Sequence, residues 1–181
     1  MTAAIESVSL SPAHGFSKQP RNSIRLLTGE GVEGDAHCGR FIQHLYLQRK
    51  DPTTPNHSQV HLFASEMLDE LRGKGFAVAA GELGENVLTR GIDLLALPTG
   101  TRLYLGNKAV VELTGLRTPC HQIDKLQNGL QQHLWGDREA SGKRSRRAGV
   151  MSIVLTGGDV HAGDPMRVEF PPEPHQPLVP V

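Results

Sequence analysis

Apolar runs in this chain are short, and glycine and proline keep interrupting them. Twenty glycines and twelve prolines are spread over 181 residues that hold few aromatics. Such a chain turns often, and short strands suit that rhythm where a helical bundle does not. Met1 to Leu10 alternates around Ile5, Val8 and Leu10 and reads as a first strand, and Ser23 to Leu27 as another. Val60 to Phe63, Val150 to Leu155 and Met166 to Phe170 are further strands. Thr101 to Leu105 and Ala109 to Leu116 are joined by Gly106-Asn107-Lys108, a hairpin connection.

Two helices are expected. Ser65 is placed to cap one, with Phe63, Met67 and Leu71 at helical spacing until Gly73 to Gly75 stops it. Ile123, Leu126, Leu130 and Leu134 predict the other, from about Pro119 to Trp135. Many strands, two helices and no βαβ alternation predict a mainly β fold, a closed or nearly closed β-barrel with a few peripheral α-helices. One domain over residues 1–170 fits the length, followed by a proline-rich tail, 171–181, expected to be extended and poorly packed.

Nineteen basic and nineteen acidic residues leave no net charge, so no global field draws the chain to nucleic acid or an anionic membrane. No stretch reaches the roughly 20 apolar residues needed to cross a bilayer, and Met1 to Leu10 has no leader-like core. A cytoplasmic location is the expectation. Two cysteines are too few for a disulfide framework, and Cys38 and Cys120 are read as separate thiols.

Gly115-Leu116-Arg117-Thr118-Pro119-Cys120-His121-Gln122 joins a strand end to a predicted helix start. Thr118 suits the cap and Pro119 the first helical position, which puts Cys120 in the first turn beside Arg117. Free backbone N–H groups, the helix dipole and the guanidinium all favour a thiolate there. A fixed thiolate serves as metal ligand, persulfide carrier or nucleophile, and an inert buried cysteine fits the same segment. Cys38, in a loop beside Gly39, has no comparable frame.

The chain resembles the MOSC family, named after the C-terminal domain of molybdenum cofactor sulfurases. The blocks that carry the resemblance are Gly31 to His37, Val60-His61-Leu62, Gly81 to Val87, Arg117-Thr118-Pro119-Cys120, and Gly157-Gly158-Asp159 with Gly163-Asp164. Their joint order over roughly residues 30 to 170 is specific, although each block alone is common.

The resemblance implies a β-barrel, a molybdopterin-type molybdenum cofactor, and a cysteine at Cys120 that ligates molybdenum or carries sulfur. Asp35, His37, His61, Asn86 and Arg117 are the remaining candidates for binding that cofactor, with Arg147 of the basic run Lys143 to Arg147 as a distal phosphate clamp. Pyridoxal phosphate belongs to a further domain of the larger sulfurases and is not expected here. Family relatives that reduce N-hydroxylated bases imply a small-molecule substrate. No flavin or iron–sulfur module stands in the chain, so an external reductase would supply electrons. A sulfur or cofactor carrier that serves a partner protein fits the same residues. A zinc hydrolase built on Asp35, His37, His61 and Cys120 is a third reading, without a His-Glu-x-x-His or Cys-x-x-Cys signature to support it.

Overall fold

Strands begin where β-branched and leucine-rich runs start and end where glycine or proline intervenes. A computed structural model describes residues 3–138 and 142–181. The chain runs through β1 (Ala4–Leu10), β2 (Gln19–Arg21), β3 (Ser23–Leu27) and β4 (Gly31–Val32) to a short helix, α1 (Leu45–Lys50). Strand β5 (Val60–Ala64) leads directly into α2 (Ser65–Gly73), followed by β6 (Val87–Arg90), β7 (Arg102–Leu105) and β8 (Ala109–Leu116). Then come α3 (Leu130–His133), β9 (Trp135–Arg138), β10 (Arg144–Arg146), β11 (Val150–Thr156), β12 (Gly158–His161) and β13 (Met166–Glu169).

The main sheet holds eight strands in the order β13-β7-β8-β11-β5-β6-β1-β2. Its pairs are antiparallel except β5 with β6. Strands β12, β3 and β4 form a second sheet, and β9 with β10 a two-stranded ribbon. The hairpin at Gly106 forms as its sequence predicts, with Leu105 opposite Ala109. Strand β8 alternates buried and half-buried residues along its whole length, as the period of a half-covered strand demands.

The expected barrel does not form. The main sheet is open and mixed, with β13 at one edge and β2 at the other. Among the described residues, the segment entering β13 meets the start of β1 through Met166 N–H to Ala3 O (3.0 Å), Ile5 N–H to Asp164 O (2.9 Å), Gly163 N–H to Ile5 O (2.7 Å) and an isolated bridge of Ala4 with Pro165. Proline has no N–H to extend that bridge into a ladder. Strands β3, β4 and β12 leave the main sheet and pair among themselves, which removes the segments that closure would need.

Helix α2 lies where expected and buries Met67, Leu68 and Leu71, although Ala64 rather than Ser65 occupies its cap position. The second helix is broken. Cys120 precedes a 3-10 turn over His121–Lys125, and α3 spans only Leu130–His133 after Gly129, whose φ of 82° is left-handed. Ile123, Leu130 and Leu134 are nevertheless fully buried, so their spacing marked the inward side of a turn-rich segment.

Two apolar clusters result. One fills the space enclosed by the sheets, around Ile5, Leu62, Leu113 and Val154. The other lies under α2, around Phe63, Leu68, Leu83 and Ile123, with Cys120 and Phe16 at its margin. No helix among the described residues is long and apolar enough to cross a membrane.

The tail is extended and mostly exposed, and one buried side chain with a few backbone hydrogen bonds ties it down. Leu116 donates its N–H to Val179 O at 2.8 Å, Thr99 donates to Gln176 O at 2.9 Å, and Leu178 is 8% exposed within the first cluster. Its prolines favour an extended path, and one apolar side chain anchors it. Leu178→Ala should lower unfolding free energy by about 2 kcal/mol, read from urea denaturation; an unchanged midpoint would mean that the tail contributes nothing.

Candidate functional site

Asp35 sits in the loop after β4 and is almost fully buried, so its charge requires partners. Its Oδ2 accepts from Lys18 Nζ, from Asn86 Nδ2 at 3.1 Å and from the Ser11 N–H at 3.2 Å. Its Oδ1 accepts from the His37 N–H at 2.9 Å, with a His37 ring nitrogen at 3.3 Å. Burial opposes ionisation, but the His37 hydrogen bonds and the Lys18 charge outweigh it and hold the carboxyl well below the usual range. Burial lowers the Lys18 ammonium from its ordinary value, while Asp35 opposes that shift.

Asn86 ties this carboxylate to the strands. Its Nδ2 also donates to Ser9 O at 3.1 Å, and its Oδ1 accepts from the His61 N–H at 3.2 Å. Both amide donors are therefore used within the protein. Asn86 N–H further donates to His61 O, and Ser9 N–H to Asn86 O, each at 2.8 Å. His61 is buried with Nε2 2.8 Å from Ala148 O, and because a carbonyl only accepts, Nε2 carries the proton. Burial, then the Arg117 charge, pushes this imidazole well below its ordinary value and keeps it neutral.

Glu85 and Arg117 form the next layer. Glu85 is sealed; Oε1 accepts the Gly81 N–H at 2.5 Å, and Oε2 is buried without a partner. Burial pushes this carboxyl up to about 7 against the pull of the Gly81 amide and Arg117. Gly84 makes the close packing possible, because a Cβ there would stand 2.5 Å from Phe16 O. Arg117 donates to Leu83 O and lies over the Phe16 ring at 5.3 Å. Burial lowers its pKa, while the charges of Cys120 and Glu85 oppose that shift.

Cys120 is half-buried with extended backbone, φ −97° and ψ 161°. A five-residue 3-10 turn follows it instead of a long helix, and Thr118 accepts from Arg146 Nε at 3.0 Å rather than capping. The positive charge beside the sulfur is therefore Arg117, supplied by a side chain and not by a helix dipole.

Asp35, His37, His61, Asn86 and Arg117 thus join one polar cluster, and Cys120 borders it through Arg117. Arg147 does not enter this network; both its Nη groups donate to Glu70 of α2. Cys38 is half-buried, and burial with nearby Glu30, Asp35 and Glu33 pushes its thiol up. Among the described residues, no group of three or more His, Cys, Asp or Glu side chains could hold a metal ion, which removes the basis of the zinc set. Lys18 and Glu85 escaped the sequence reading. Glu85 stands in the quoted block Gly81 to Val87, a signal that was present; Lys18 lies in a loop with no such mark.

Two measurements probe this cluster. The folded Glu85 carboxyl titrates above its unfolded value of 4.5, so its contribution to stability is complete below about 4.5 and is lost as pH rises toward about 7. Glu85→Gln should therefore remove roughly 2 to 3 kcal/mol of the stability decline between pH 5 and pH 8 in urea unfolding; an unaltered pH slope would refute the assignment. Asp35→Ala should cost about 3 to 5 kcal/mol because Lys18 stays buried alone, and a loss under 1 kcal/mol would show that the ion pair is dispensable.

A family model described as the MOSC domain matches residues 36–167. No curated protein matches the chain. Among solved structures, the chain is similar to the YuaD protein of Bacillus subtilis, with TM-score 0.76 and 24% identity over 95% of this chain and 98% of that one. YiiM of Geobacillus stearothermophilus is similar with TM-score 0.66 and 18% identity, covering 97% of this chain and 79% of that one. YiiM of Escherichia coli has TM-score 0.61 and 17% identity, covering 97% and 73% respectively.

Proposed function

The chain belongs to the MOSC-domain family, and from that premise we propose that it binds a molybdopterin-type cofactor, with Cys120 as the protein's sulfur ligand to molybdenum. The observation that carries the reading is a half-buried thiol beside a guanidinium, at the edge of a buried polar cluster. The donor set fits such a group. With no cluster of three or more metal-ligating side chains among the described residues, the chain suits a metal that arrives with most of its ligands and takes one soft sulfur from the protein. When bound, the molybdenum would supply electron-pair transfer to an N-hydroxylated small molecule.

The chain's own residues divide the remaining tasks. Arg117 holds positive charge beside the sulfur and is placed by Leu83 O and the Phe16 face. Asp35, Lys18 and Asn86 fix the surrounding loops and leave His37, at the half-exposed end of the network, as the member able to meet a ligand. Glu85 is sealed beside Arg117, and burial pushes its carboxyl up, which limits the negative charge opposing that guanidinium. Conversion of N–OH to N–H takes up an electron pair and protons and releases water. The electrons would come from an external reductase.

A carrier role is the second reading, favoured by a half-buried thiol that has a guanidinium beside it: Cys120 would bear a persulfide for a partner protein. Turnover separates the two, because a cofactor-loaded chain with an artificial reductant consumes an N-hydroxylated base only under the enzyme reading. Cys120→Ser should reduce molybdenum content at least tenfold by elemental analysis while far-UV circular dichroism is unchanged. Equal molybdenum in both proteins would exclude Cys120 as the ligand.

A further inference from the structure

An open groove of about 1050 Å³ lies between the β9–β10 ribbon and the C-terminal tail. Trp135, Asp137, Arg144 and Arg146 of the ribbon line it on one side, and Phe170, His175 and Leu178 near the C-terminal end line it on the other. None of Lys18, Asp35, His37, His61, Glu85, Asn86, Arg117 and Cys120 lines it.

Its charge is local in a chain that is neutral overall. The Arg146 guanidinium lies over the Trp135 ring at 5.5 Å and uses one N–H, toward Thr118. Arg144 turns Nε and Nη2 to the carbonyls of Gly136, Gln132 and Trp135. Among the described residues no carboxylate pairs with either, whereas neighbouring Arg147 is satisfied by Glu70. Asp137 is the carboxylate in the lining, but among the described residues it forms no ion pair with Arg144 or Arg146, so Arg146 keeps free N–H groups as a fork for an external oxyanion.

The opposite wall is aromatic. Phe170 is 57% exposed and stacks on His175 with centroids 5.8 Å apart, which leaves a large apolar ring facing water unless something covers it. Flat rings and guanidinium groups lining one cavity match a flat ligand that carries an oxyanion. We propose that this groove binds a planar aromatic anion, a ring bearing a carboxylate or phosphate, with Arg146 as its principal charge contact. The site goes beyond the cofactor reading and does not rest on it.

Trp135 is the chain's one tryptophan, so its fluorescence reports on the groove directly. The full-length chain is titrated with phenyl phosphate, benzoate, inorganic phosphate and benzyl alcohol. The proposal predicts saturable quenching by phenyl phosphate or benzoate, the stronger of the two identifying the oxyanion. It also predicts affinities at least about tenfold weaker for inorganic phosphate and for benzyl alcohol, a difference of about 1.4 kcal/mol. Arg146→Ala should weaken binding about tenfold or more, and Arg146→Lys by less, because the fork is lost but the charge remains. Cys120→Ala should bind like the parent chain, so failure of the cofactor reading leaves this result untouched. If Arg146→Ala does not fold, Phe170→Ala on the other wall replaces it, with the same expected weakening. Absence of saturable quenching, equal affinity for benzyl alcohol, or unchanged affinity in the folded variant overturns the proposal.

Discussion

A carboxylate that cannot reach water organises the polar half of this molecule. Asp35 gathers Lys18 and the Ser11 amide from the β1–β2 connection, Asn86 from the approach to β6, and His37 from its own loop. Asn86 then passes the constraint to β1 and to His61 in β5. A buried charge is tolerated only when its partners are fixed, so this network sets loop positions with little freedom. Glu85 is the residue immediately before Asn86, and it is buried beside Arg117.

Charge placement around Cys120 has an equally local origin. The extended Cys120 backbone and the short turn after it leave no long helix to act on the sulfur. Arg117 does so from the end of β8, where its N–H is held by Gly149 O at 3.0 Å. A side-chain charge can be removed by one substitution without loss of the strand, whereas a dipole cannot. Beyond Thr118, the basic ribbon carries a separate set of charges, and Arg146 touches both regions through the Thr118 hydroxyl.

Local features were legible in the sequence because their causes are local. The β7–β8 hairpin follows from Gly106-Asn107-Lys108, and α2 from the spacing of Met67 and Leu71. Asp35, His37, His61, Asn86 and Arg117 could be named as one group, and Cys120 stands at its border. Nonlocal pairing was less visible. Whether the sheet closes depends on how its far ends meet, and Pro165 denies that meeting a ladder. Lys18 lies in a loop whose composition reads as surface, and only the fold brings it to Asp35. The tail is exposed apart from Leu178, whose place in the core gave no periodic signal because it is one leucine among prolines.

In the proposed function, one sulfur at the edge of this charged cluster holds a soft-metal cofactor. Native mass spectrometry of the full-length chain, produced with ample molybdate, measures that most directly. The predicted result is a non-covalent adduct containing molybdenum and pterin on the parent chain. A spectrum with only the bare polypeptide, or with zinc in place of molybdenum, would contradict it.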